Sequence, residues 1–312
     1  MTIDRIGSYA NALLMFAHVM KAENGLDISN RQVATGKVAD NYAGYRDKTA
    51  IMEAARSASA RADANAATAV QAAARLDVQD TQLSQLSDLA NEIRVAITKA
   101  AADRDGTSLM SQLDAYFDQV VGIMNAKDAN GYIYAGDNNQ TPPVVVNSLA
   151  DLAALPTVAD AFVNGTIKTE VKISETQNVE VGLLASDLAT ELFNLLSQVA
   201  QFDSGVDGPF SGTTTPAQQT FLESMIPTAI DAQHGVNAQA AANGIHYQTV
   251  QKAVQQLQAS SVVYKGFVSN IEDVDMAQAL AELNQNQVAL QAAFQVTSTL
   301  NRLSLLDYLP IV

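Results

Sequence analysis

The sequence predicts a mainly α-helical protein in which the two ends of the chain pair as a long antiparallel coiled coil or bundle. Three observations predict this fold. Large apolar residues recur with heptad spacing at both ends, and residues 49–102 are rich in Ala and contain no Gly or Pro. The middle of the chain is richer in β-branched residues and turn formers, which predicts a β-hairpin and a small β-rich inserted domain.

The first element is an amphipathic helix with a narrow apolar stripe. Gly25 and Asn30 follow the stripe and are expected to weaken the helix. The stripe consists of Ile6, Tyr9, Leu13, Phe16 and Met20.

Residues 49–102 predict one very long helix, and residues 109–125 predict a shorter one. A turn signal at 128–131 then introduces two short extended pieces, which predict a hairpin over 131–146, with the prolines restricting its second strand to a sheet edge. Helical spacing resumes at 183–202. After a Gly- and Pro-rich loop, it continues from residue 217. Within this stretch Pro227 must kink the helix or lie in its first turn, and Asn243-Gly244 is a candidate interruption.

The last part of the chain carries a second apolar stripe whose phase changes at residues 272–275, so a helix is expected to end there and another to begin. The acidic residues at this point are expected to lie at the start of the last helix, where they favour its dipole. The second stripe consists of Met276, Leu280, Leu283, Leu290 and Phe294.

These elements predict three parts. Residues 1–30 and 273–312 form a terminal coiled coil, residues 31–146 and 182–272 form a helical rod that includes the hairpin, and residues 147–181 form the insertion. The two stripes could close a monomeric bundle. Because their flanking positions are rich in Gln, Asn, Ala and Ser, we instead expect the ten stripe residues to form subunit contacts.

The composition excludes several classes of function. A net charge of −15 disfavours binding to nucleic acid, and the absence of Cys excludes disulfides and thiolate chemistry. Three scattered His residues and the lack of any catalytic or phosphate-binding motif predict no catalytic, cofactor or metal site. Because no apolar run reaches about 20 residues, we expect no membrane insertion. The N-terminus also lacks the features of a signal peptide.

Four short motifs are distinctive. Residues 271–277 read Ile-Glu-Asp-Val-Asp-Met-Ala, residues 303–306 read Leu-Ser-Leu-Leu, residues 131–144 hold Gly-Tyr-Ile-Tyr-Ala-Gly followed by Thr-Pro-Pro-Val, and residues 32–44 begin Gln-Val-Ala-Thr-Gly-Lys. The first two resemble the Ile-Glu-Asp-x-Asp-x-Ala signature and the C-terminal ending of bacterial flagellins, and the last resembles the Leu-Ser-Ser-Gly stretch near the start of that family. The third is similar to the Gly-x-Tyr-x-Phe-x-Gly…Thr-x-Pro hairpin of the family's hook-associated branch. The residues that carry the resemblance are Thr35, Gly36, Gly131, Tyr134, Gly136, Pro142, Ile271, Glu272, Asp273, Asp275, Leu303 and Leu306.

The resemblance implies a structural subunit of the bacterial flagellum that joins the hook to the filament, is not an enzyme and has no cofactor. Its implied partners are copies of itself, neighbouring hook-associated proteins, flagellin and an export chaperone. It would lie outside the cell, exported without a cleaved signal peptide. The alternative within the family is flagellin, the bulk filament subunit. An enzyme housed in 147–181, or a helical scaffold of another system, are the alternatives outside it.

Overall fold

A computed structural model describes residues 3–174 and 177–306, with the backbone alone at 3–9, 11–12 and 300–306. Helix accounts for 74% of the chain, which confirms the mainly α prediction. The helices are α1 (Ile3–Thr35), α2 (Tyr42–Tyr45), α3 (Thr49–Asp103), α4 (Leu109–Met124), α5 (Leu149–Ala154), α6 (Ala185–Asp203), α7 (Pro216–Glu272) and α8 (Met276–Leu306), with 3-10 turns at Arg46–Lys48 and Val158–Ala161.

The chain forms two compact units. The terminal unit comprises Met1–Arg61 and Ser260–Val312, and the middle unit comprises Ala62–Ala259. Both boundaries fall inside helices, in α3 and in α7. The predicted division into three parts stays a prediction.

The core of the middle unit is built where α4 and α6 pack beside the second half of α3. Both short helices are amphipathic, and their apolar faces bury Phe117 and Phe193 with ring centroids 5.3 Å apart. A second, smaller apolar cluster lies around Leu76 and Val250. Apolar burial of this kind is the main favourable contribution to folding, so these two clusters hold the middle unit together.

Four short strands form two antiparallel hairpins. Strand β1 (Lys127–Asp128) pairs with β2 (Gly131–Tyr132), and β3 (Glu170–Lys172) pairs with β4 (Asn178–Glu180). The β3–β4 hairpin contributes Val179 to the smaller cluster. Residues 147–181 therefore hold a hairpin, as the sequence indicates, but also α5 and a 3-10 turn.

The pairing predicted for the hairpin at 131–146 is wrong. Strand β2 pairs with the preceding residues instead of with 142–146, where Val144 forms only an isolated bridge to Phe162. The physical reason is that the Asn125 side chain occupies both backbone groups of Val144. Its amide N–H donates to the Val144 carbonyl and its amide oxygen accepts from the Val144 N–H, each at 3.0 Å. Pro142 and Pro143 also lack the N–H groups that a strand would donate.

The helices continue through the residues that were expected to disturb them. Helix α1 continues past Gly25 and Asn30, and α7 continues through Pro227, which lies beyond its first turn, and through residues 243–244 without the interruption considered there. Packing overrides local propensity here, because Met225 and Ala229 are buried on either side of Pro227. The phase change at 272–275 is confirmed: α7 ends at Glu272 and α8 begins at Met276.

Candidate assembly surface on the terminal helices

Helices α1 and α8 of the terminal unit pack in opposite directions. Gly25 contacts Asn286, and further along the pair the Val274 N–H donates to the Gly36 carbonyl at 2.9 Å. Residue numbers therefore rise on α1 as they fall on α8. Continued towards the N-terminus, this register puts Phe16 level with Phe294, so the two apolar stripes predicted from the sequence run along the same helix pair.

A polar contact fixes the register of this pair. The Asn286 amide donates to the Ser29 hydroxyl at 2.8 Å and to the Gly25 carbonyl at 3.2 Å. A Cβ at Gly25 would lie 3.2 Å from the Asn286 side chain, so glycine permits the close approach. Ser29 is buried and donates in turn to the Gly25 carbonyl. The glycine that was expected to weaken α1 is thus a packing site for α8.

The paired helices leave much of the apolar stripes accessible. Phe16 is 66% exposed and Phe294 is 51% exposed, while Leu283 and Leu290 are half-buried. Ile6 and Tyr9 lie in the range whose side chains are outside the description. The other stripe residues are exposed: Leu13, Met20, Met276 and Leu280. Their role in subunit contacts stays a prediction.

Further exposed apolar side chains, which the stripes did not include, lie in the same unit. Leu14 lies on α1, Val288 and Val296 lie on α8, and Val262 and Phe267 lie on the last turns of α7. Their periodicity is less regular than that of the stripes, so spacing alone gave only a weak signal. Exposed apolar surface marks interaction sites in soluble proteins when it is contiguous, so the stripe residues along α1 and α8 are the candidate surface.

An ionic cluster lies where α7 ends. The Glu272 carboxylate accepts a 2.6 Å hydrogen bond from the Arg56 guanidinium on one oxygen and a short one from the Lys37 ammonium on the other. Lys37 and then Arg56 lower the pKa of Glu272, and Glu272 raises the pKa of both cations. The backbone reinforces the cluster, because the Val38 N–H donates to the Glu272 carbonyl at 2.8 Å. Sequence spacing gave no signal for either partner of Glu272.

The motif residues around this cluster end one helix and begin another. Thr35 is the last residue of α1, and Gly36 adopts φ +70, the left-handed conformation that closes helix ends. Asp275 caps α8 by accepting from the backbone N–H groups of Ala277 and Gln278 at 2.9 and 3.2 Å. The expected helix-start role is confirmed for Asp275, whereas Glu272 belongs to the end of α7.

The remaining terminal motif residues have varied surroundings. Ile271 is half-buried, and the Asp273 carboxylate accepts a short hydrogen bond from the Ser269 hydroxyl. Leu303 and Leu306 are helical in backbone, and their side chains lie outside the description.

The middle-unit motif residues shape the turn after α4. Gly131 has φ +124, and a Cβ there would lie 2.4 Å from the Asn139 carbonyl oxygen. Gly136 has φ +63 and passes close to the Ile167 carbonyl. Tyr134 is fully buried and donates to the Gln82 side chain at 2.6 Å. Pro142 is half-buried next to the segment held by Asn125. These residues have structural roles in a compact turn.

Two kinds of functional feature were sought in the described part of the chain, a metal-binding group and a membrane-spanning helix. It holds no group of three or more His, Asp or Glu residues that could bind a metal ion. Among the same residues, no helix is both long and apolar enough to cross a membrane.

Comparison with known proteins identifies the class of the C-terminal part of the chain. Residues 226–309 match the family model of the bacterial flagellin C-terminal helical region, and this range covers most of α7 and all of α8. The flagellin resemblance of the sequence is confirmed over this range. No curated protein sequence matches the chain.

Solved structures then define the fold more closely. A protein of Vibrio parahaemolyticus described as a flagellar hook-associated protein matches with a TM-score of 0.54 and 12% identity, over 72% of this chain and 97% of that one. FlgL of Bacillus cereus matches with a TM-score of 0.52 and 13% identity, over 70% and 98%. FlgL of Xanthomonas campestris matches with a TM-score of 0.52 and 14% identity, over 70% and 99%. The chain has the fold of these three proteins.

Proposed function

We propose that this protein is a structural subunit of the bacterial flagellum that joins the hook to the filament. The observation that carries the proposal is the α1–α8 pair, whose apolar side chains stay largely accessible within one chain, as with Phe16 and Phe294. Burying such a side chain between subunits contributes about 1.5–3 kcal/mol, so several of them suffice to hold neighbouring copies together.

We prefer the junction role to that of flagellin because of the proteins that share this fold. Three solved structures that share its fold are described as a flagellar hook-associated protein or as FlgL. The C-terminal helical region that it shares with flagellins supplies the common means of packing into an axial structure. Flagellin, the bulk filament subunit, is the alternative.

The partners and location follow from this role. The chain contacts copies of itself, neighbouring hook-associated proteins and flagellin, and an export chaperone holds it before assembly. It acts outside the cell as part of the flagellum, and it is not an enzyme. The absence of Cys suits a chain that crosses a narrow channel unfolded and refolds outside.

Deletion of the gene tests the proposal. Loss of a junction protein leaves hooks intact and releases filament subunits into the medium, whereas loss of the only flagellin removes the filament and releases none. Electron microscopy with an antibody against residues 147–181 gives an independent result. A ring of label at the end of the hook supports the junction, and label along the filament supports flagellin instead.

A further inference from the structure

The negative charge of the protein is concentrated in one unit. The middle unit contains 22 Asp and Glu against 8 Lys and Arg, a net charge of −14. The terminal unit contains 11 acidic and 10 basic residues, a net charge of −1. The total of −15 is therefore a property of the middle unit and requires a local explanation.

Part of this charge forms a stripe on α3. Asp77, Asp80, Asp88 and Glu92 are all exposed, and their spacing places them on one side of the helix. The stripe is about 22 Å long at the helical rise per residue. Among the described contacts, none of the four carboxylates takes part in an ion pair or a side-chain hydrogen bond. They are free to meet a cationic surface.

A cavity of about 460 Å³ in the terminal unit provides such a surface. Arg31, Lys37 and Arg46 line it, with the exposed side chains of Ile28 and Val38 beside them. Its single acidic residue, Asp40, accepts a 3.4 Å contact from Arg31. The cavity therefore combines a net positive charge with apolar walls.

Arg46 is the cation of this cavity most available to a partner. Arg31 also pairs with Asp27, and Lys37 pairs with Glu272. Arg46 is exposed and has no ion pair among the described residues. Its backbone lies at φ 54 and ψ −124, a conformation that favours glycine. The guanidinium therefore stands at a position whose backbone conformation would suit glycine better.

We propose that the cavity around Arg46 binds the acidic stripe on α3 of a neighbouring copy of the chain. The proposal rests on the proposed function, because it names one contact of the assembly. Charge complementarity between the two surfaces would direct the orientation and rate of docking, and salt would weaken it. The apolar walls formed by Ile28 and Val38 would exclude water around the ion pairs and so strengthen them.

Charge reversal in the full-length chain tests the contact. Arg46→Glu is expected to lower the amount of protein incorporated into purified flagella about tenfold or more, and so is Asp88→Lys with Glu92→Lys. All three changes together are expected to restore incorporation to within about threefold of the wild type, because the pairing is re-formed with reversed signs. Failure of the combined variant to recover, with each parent impaired and folded, overturns the proposal.

Two further variants separate charge from folding. Arg104→Glu is the matched control, since Arg104 is exposed and also has a positive φ of 56 but lies outside the cavity. It is expected to leave incorporation unchanged. Arg46→Gly relieves the backbone conformation, so it should keep or raise the melting temperature while incorporation falls. Normal incorporation of Arg46→Gly contradicts a role for the guanidinium.

Cross-linking tests the contact independently of the proposed function. The natural chain has no Cys, so Asp47→Cys combined with Ser84→Cys places two unique thiols, one beside Arg46 and one among the stripe carboxylates, and keeps every charge of the proposed contact. A bismaleimide that spans about 10 Å is expected to give a ladder of cross-linked oligomers from concentrated soluble protein and from purified flagella. Each single-Cys variant should give no product larger than a dimer. A ladder in the soluble protein alone supports the contact and counts against the flagellar role. Absence of a ladder from both preparations overturns the contact.

Discussion

The Arg56 guanidinium donates a 2.6 Å hydrogen bond to the Glu272 carboxylate, which joins two residues 216 positions apart in the chain. The Lys37 ammonium binds the second oxygen of the same carboxylate. One side chain at the end of α7 therefore holds the beginning of α3 and the segment that follows α1. Because Glu272 is largely buried while both cations are partly exposed, the carboxylate is the residue on which this cluster depends.

Glu272→Gln is expected to lower the free energy of unfolding of the terminal unit by about 2 kcal/mol, since it removes the charge that both cations bind. Urea unfolding, with hydrogen exchange to localise the effect, measures it. Glu53→Gln is the control, because Glu53 is an exposed partner of Arg56 at 3.0 Å and should change stability by less than about 1 kcal/mol. Equal effects of the two variants would show that burial of Glu272 is unimportant.

Acidification is expected to weaken the same cluster. The pKa of Glu272 is lowered from its ordinary value of 4.5, chiefly by Lys37. A carboxyl with a lowered pKa in the folded state stabilises the fold above its unfolded pKa, and this contribution is lost as the pH falls through the folded pKa. The stability difference between wild type and Glu272→Gln should therefore be constant near neutral pH and shrink below about pH 4.5. Thermal unfolding from pH 7 to pH 3 tests this, and a difference that grows on acidification contradicts it.

Leu283→Asp combined with Leu290→Asp is expected to abolish incorporation into the axial structure and leave the middle unit folded. Both side chains are half-buried on α8, and each would bury apolar surface worth about 1.5–3 kcal/mol against neighbouring subunits. Motility, microscopy of purified flagella and circular dichroism measure the outcome. Val206→Asp, in an exposed loop, should behave like the wild type. Normal motility of the double variant would refute the stripe assignment.

Two glycine substitutions should act in opposite directions. Gly131→Ala is expected to destabilise the turn after α4 by more than about 1 kcal/mol, because its Cβ would clash with the Asn139 carbonyl at a positive φ. Gly122→Ala should stabilise the protein by about 0.5–1 kcal/mol, since the position lies inside α4 with nothing within 4 Å of an added Cβ. Chemical unfolding measures the change in the free energy of unfolding for each variant. Changes of the same sign in both would contradict the turn geometry.

The sequence by itself determined the helical class, the long helix α3 and the break between α7 and α8. Each of these depends on local periodicity, which a chain displays wherever one face of a helix is buried. The motifs also indicated the flagellin resemblance, which the match over residues 226–309 confirms. These features could be predicted because they need no knowledge of what lies across the contact.

Tertiary structure decided the features that depend on residues distant in the chain. Asn125 holds Val144 and so replaces the expected strand, and Asn286 packs on Gly25 so that α1 does not end there. The pairing of Arg56 with Glu272 likewise has no local signature. Such contacts form only when packing brings separate segments together, and their energies then outweigh the small local preferences that spacing and propensity express.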